Sequence, residues 1–244
     1  MGFFRNRGFA AGNAAVFLSS FAVFSLFAFA PLYIQGVQGK SPMQVGITMV
    51  SLSLGWSTGS MALGQVIDRL GYRSCAMVGG AGLVAGCALT LSFTAASPLW
   101  FSFGAFFTIG VGMGFVALST LLVVQSWLSA KDLGVATASN QLARTLGGTV
   151  GVGVCGSLMA ARLSGLKAAL GDAGILDRLP DQLAAMQADH IGEMLRPEIQ
   201  VLMPPAIRQF LQDTILHGAR DVFWAVVVAA VLCLLTCQVI PRRS

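Results

Sequence analysis

One arginine poses the sharpest chemical question in this sequence. Arg144 is the tenth residue of an apolar run that opens at Val135, inside GVATASNQLARTLGGTVGVGV. On a helix that is roughly 15 Å from the start of the run, near the middle of a hydrocarbon layer about 30 Å thick. A guanidinium at that depth costs at least ~2.5–3.5 kcal/mol to insert, so it faces a water-filled cavity or a partner and marks a substrate path or a coupling site. A structural arginine, held by backbone carbonyls or snorkelling to the surface, is the alternative. Asn140 and Gly148 lie four residues to either side and Gln141 three before, which predicts a single polar, small-residue face. Asn13 joins these as a lesser candidate for the path, its position near a span end being better suited to an interfacial residue. No carboxylate is placed to neutralise Arg144: the ten acidic residues are Asp68, Asp132 and eight between positions 162 and 221, none inside an apolar run.

The second chemical cluster is GQVIDRLGYRS, residues 64–74, which gathers Asp68, Arg69 and Arg73 between two apolar stretches. Asp68 sits at the end of a predicted helix, where the helix dipole disfavours an anion. It therefore seeks Arg69, Arg73 or the start of a neighbouring helix. Gly71 supplies a backbone turn that a β-carbon would resist.

The elements that hold these residues follow from composition. Only 10% of the 244 residues are charged and 55% are hydrophobic, against about 25% charged in a soluble domain. Mean hydropathy is +0.76. Six apolar segments, at about 9–34, 44–67, 74–96, 99–128, 135–161 and 222–240, are each long enough to span a bilayer as a helix. The opening run is too long for a signal-peptide core and reads as a retained span. The links between spans are short except 162–221, an expected extracytoplasmic loop with short amphipathic helices broken at Pro180, Pro197, Pro204 and Pro205. Ser129 and Asp132 suggest a capping box opening the fifth span.

Basic residues in the short links set orientation. Arg5, Arg7, Arg69, Arg73, Lys131, Arg242 and Arg243 fall on one side and Lys40 on the other, which predicts cytoplasmic N- and C-termini. The net charge of +5 is thus a topology signal and not a nucleic-acid footprint. The five cysteines and two histidines show no metal-ligand or disulfide spacing. With no histidine and no carboxylate pair in any span, acid–base catalysis lacks its groups. The 29 glycines read as close-packing devices, in rows at Gly55/Gly59, Gly82/Gly86, Gly104/Thr108/Gly112, Gly110/Gly114 and Gly147/Gly151.

Gly64, Asp68, Arg69, Gly71 and Arg73 at these spacings resemble the loop motif of the major facilitator superfamily. PLYIQGVQGKSP, the segment around Arg144 and the long link before the last span resemble the C-terminal half of its fourteen-span drug:proton antiporter branch. Tyr72 stands where that family usually has a basic residue. The resemblance implies an all-α integral membrane fold, half of a major facilitator bundle: six transmembrane helices in two inverted three-helix repeats. It implies export of small amphipathic molecules, a proton gradient in place of any bound cofactor, and a conformational latch at the loop motif. It further implies a missing N-terminal transporter half bearing the proton-binding acid, and the bacterial cytoplasmic membrane as location. The chain is then expected to be a fragment or a half that needs a partner. A decayed, non-transporting membrane scaffold is the alternative expectation.

Overall fold

The computed structural model describes residues 6–128, 130–172 and 205–241, and every regular element among them is helical. These are α1 (Arg7–Gly36), α2 (Pro42–Leu91), α3 (Leu99–Ser126), a single 3-10 turn (Ala130–Asp132), α4 (Leu133–Asp172) and α5 (Pro205–Val239). All five α-helices are long and apolar enough to cross a membrane. Their starts carry local signals. The Asn6 side chain accepts from the Gly8 amide at 3.0 Å. Ser41 and Gln44 form a reciprocal capping box ahead of α2, with Pro42 in its first turn. The capping residue expected at Ser129 lies outside the described residues.

The second and third expected spans are one helix with a break. A straight helix of 50 residues would be about 75 Å long, far more than a bilayer accommodates. The interruption falls at Gly71, with φ 78° and ψ 157°, a region essentially restricted to glycine. The contacts on either side show the chain folding back there. Before the break, Gly55 lies against Phe107 and Gly59 against Val111, so this arm runs parallel to α3. After it, Gly79 meets Val116 and Gly86 meets Ile109, so the second arm runs antiparallel to the same helix. α3 is therefore gripped between the two arms of α2.

Glycine makes that grip possible. A β-carbon on Gly110 would collide with the Leu52 carbonyl, and one on Gly112 would stand 2.6 Å from the Leu83 nitrogen. Backbone thus touches backbone, as small residues permit in lipid. A second seam joins α1 to α4, where Gly147 and Gly151 rest on the carbonyls of Phe17 and Phe21. The expected row at Gly104 holds only in part, because Gly104 has nothing within 4 Å.

Three boundaries differ from expectation. The second arm of α2 stops at Leu91 and not near 96, and Ser92–Pro98 carry the chain to α3. α4 runs on to Asp172 and α5 begins at Pro205, so both described ends of the expected 162–221 loop are helix. The reason is physical: beyond 161 the sequence stops being apolar but keeps good helix formers, Leu163, Leu166, Lys167 and Ala168 among them. An ion pair, Arg162 Nε to Asp221 Oδ2 at 2.8 Å, ties these two helices together there. Residues 173–204, which hold the expected amphipathic helices, lie outside the described residues.

Candidate functional site

Helical geometry decides which side chains meet around Arg144. Successive residues of α4 step by about 100°, so a residue four before and residues three and seven after Arg144 point to one side, within roughly 60° of it. These are Asn140, Gly147 and Gly151, the row seated on α1. Gly148, Thr145 and Val152 fall to the other side. There they line an open-sided cavity of about 630 Å³ together with Trp56 of α2 and Phe24 of α1. Arg144 stands at the border between the two rows, half-buried, with its guanidinium carbon 5.8 Å from the centre of the Trp56 ring. That is within cation–π range.

The single polar face expected from sequence therefore divides. Asn140 is 3% exposed and turned into the protein, with its Nδ2 lacking a hydrogen-bond partner among the described residues. Asn13, 5% exposed, donates to the Phe9 carbonyl at 2.9 Å and accepts from Ser139 at 3.4 Å, bridging α1 and α4. Gln141 is exposed, points the same way as the cavity row, and does not line the cavity. Arg144 and Gly148 are the sequence-picked residues that do. Trp56, Phe24, Thr145 and Thr149 were not singled out by sequence. The available signal was Trp56 itself, an indole in the small-residue stretch LGWSTGS, since a buried indole N–H usually seeks a partner.

The loop motif occupies one end of the bundle. Gly64, Asp68, Arg69 and Gly71 are exposed, and no ion pair joins Asp68 to Arg69 or Arg73. Arg73 is half-buried, and its Nε is enclosed without a hydrogen-bond partner among the described residues. It borders a cavity of about 310 Å³ shared with Ser126 at the end of α3, Trp127 just after it and Ile240 after α5. The start of α1 reaches the same end, with Gly8 against the Trp127 indole. At the opposite end, Tyr33, Phe93 and Phe223 pack together with ring centres 5.5–6.2 Å apart. They draw the ends of α1 and α2 onto α5. Gln38 fixes the nearby link by donating to the Thr94 carbonyl at 3.2 Å. The five cysteines are buried free thiols; Cys233 faces the Ala15 carbonyl at 3.4 Å.

This geometry has counterparts. Over 215 residues, 84% of the chain, the sequence is 32% identical to the multidrug transporter protein MdtP of Bacillus subtilis. Over 161 residues it is 30% identical to a tetracycline resistance determinant of Streptomyces rimosus. It covers 39% and 46% of those proteins, so the chain spans less than half the length of either relative. A crystal structure of a bacterial homolog to the human lysosomal transporter Spinster, inward-facing and unoccupied, matches with a TM-score of 0.66. That match covers 98% of this chain and 50% of the other at 16% identity, a likeness of fold. Residues 2–152, from the start of α1 past Arg144, match the family model described as Major Facilitator Superfamily. Apolar helices packed through glycine, turned back at a charged loop and carrying a half-buried arginine within a span, are thus the work of a multi-pass membrane chain that belongs to the major facilitator superfamily.

Proposed function

We propose that this chain is the C-terminal six-span half of a proton-coupled secondary transporter that exports small amphipathic molecules from the cell. In this reading the two arms of α2 count as separate spans. Spans one to three and four to six then form two inverted repeats, with substrate bound near the midplane. Both termini face the cytoplasm, so the Gly71 end of the bundle is cytoplasmic and the aromatic end is outside. The observation that carries the reading is Arg144, half-buried about three turns into the apolar part of α4 and lining an open-sided cavity with Trp56. A charge so placed is functional by default in a membrane. The names of the relatives, a multidrug transporter and a tetracycline resistance determinant, support export as the activity.

The Arg144 cavity opens on the side of α4 where a second half would close it. Proton coupling needs an embedded carboxylate, and the described spans offer none near the cavity; the other half supplies it in this reading. Asp68, Arg69 and Arg73 would then latch the cytoplasmic ends in one conformation and release them in another. The test is dye and antibiotic efflux from cells lacking their own pumps. Cells would carry an eight-span N-terminal half alone, this chain alone, or both. Efflux that requires both halves and collapses with a protonophore is the expected result. Efflux by the N-terminal half unaffected by this chain would favour a non-transporting scaffold instead.

A further inference from the structure

Charge narrows the set of molecules that the Arg144 cavity accepts. We propose that it binds planar aromatic molecules bearing an ionised acidic group, the ring packed against Phe24 and Trp56 and the anion held by the Arg144 guanidinium. The proposal rests on the export reading for the purpose of the site, and on the following geometry for its selectivity.

Among the described residues lining the cavity, Arg144 is the only ionisable one, and it is a cation. It forms no ion pair or hydrogen bond among the described residues; its recorded contact is with the Trp56 ring. A ring face offsets part of the cost of removing the guanidinium from water. It leaves the planar fork of N–H donors open, and that fork matches carboxylate, sulfonate and phenolate oxygens. Thr149 commits its hydroxyl proton to the Thr145 carbonyl at 3.0 Å, while the exposed Thr145 hydroxyl, beside Arg144, remains free to donate to an anion. The rest of the lining is aromatic and aliphatic, from Phe24, Trp56 and Val152. The volume of about 630 Å³ falls in the range of small-molecule sites. A cationic ligand would meet a like charge in a poorly screened setting, with no carboxylate among the described lining residues to receive it.

The test uses three probes with one ring system and three charges: naphthalene-2-sulfonate, 2-acetylnaphthalene and (naphthalen-2-ylmethyl)trimethylammonium. The purified chain in phosphatidylcholine nanodiscs is titrated with each, and empty nanodiscs give the partition blank. The sulfonate is expected to bind saturably and about tenfold or more tighter than the ketone, and the ammonium not to saturate. Arg144→Gln should bring the sulfonate down to the ketone's affinity, Arg144→Lys should keep part of the preference, and Trp56→Ala should weaken both. Added salt should weaken sulfonate binding to the wild-type chain and leave the ketone unaffected, a readout that needs no variant to fold. Equal binding of all three probes, preference for the ammonium, absence of saturable binding, or an Arg144→Gln chain that binds sulfonate normally would each overturn the proposal. Export of cationic dyes by the assembled transporter would remove the charge class and leave the export reading intact. Sulfonate selectivity without any efflux would do the reverse.

Discussion

Arg144 is the residue on which the functional reading turns, and its position on the helix explains why. It stands between the row that seats α4 on α1 and the row that faces the cavity, so its stem can pack while its head stays wet. Removing the head should disturb transport more than folding. Arg144→Ala in the assembled transporter is expected to lower efflux about tenfold or more, with membrane insertion and expression unchanged. Efflux assays read beside a protease-protection assay check both halves of that statement, and wild-type efflux would remove the role. Trp56→Phe keeps a ring under the guanidinium and should retain most activity, whereas Trp56→Ala should not. The sequence pointed to Arg144 through charge and depth alone. It could not say that Asn140 turns inward, because a shared i±4 spacing does not reveal on which side of a row a neighbouring helix lies.

At the scale of elements, three glycines make contrasting predictions. Gly71 holds φ 78° and ψ 157° at the fold-back of α2, and any β-carbon there is strained by about 1–3 kcal/mol. Gly71→Ala should therefore lower thermal stability in detergent, and an unchanged melting temperature would contradict the strained turn. Gly110 and Gly104 lie on the same helix and form a matched pair. A methyl on Gly110 would collide with the Leu52 carbonyl, and overpacking of this kind typically costs about 1–3 kcal/mol. Gly104 has nothing within 4 Å, so Gly104→Ala should be neutral or stabilising by up to about 1 kcal/mol on helix propensity. Melting curves of the two variants by size-exclusion fluorescence should move in different directions. The small-residue spacing that marked Gly55, Gly59 and Gly147 as packing positions marked Gly104 equally well. Spacing gives the row but not its length of contact, since helices cross at an angle and part company. The apolar runs located every described helix, while their ends were misjudged at 96, 161 and 222 because hydropathy reports where lipid stops and not where hydrogen bonding stops.

For the whole molecule, orientation is the quantity to measure. All five native cysteines are buried, so the chain offers a low background for thiol labelling. Lys40→Cys, in the link between α1 and α2, should react with a membrane-impermeant maleimide on intact cells. Arg69→Cys, beside the fold-back of α2, should react only after permeabilisation. The reverse pattern would invert the proposed topology. The bundle also divides naturally. α3 is locked to both arms of α2 through main-chain contacts, and α4 is locked to α1 in the same way. Phe24 and Arg144 belong to one of these pairs and Trp56 to the other.

That division gives the indole–guanidinium contact a meaning beyond affinity. If the two glycine-zipped pairs slide as blocks, no side chain inside either block has to repack, and the spacing of 5.8 Å between Arg144 and the Trp56 ring becomes the built-in gauge of how far they have slipped. With Trp100, Trp127 and Trp224 replaced by phenylalanine, Trp56 emission, changing as the cation approaches or withdraws, would then report that slip from within, without an added label.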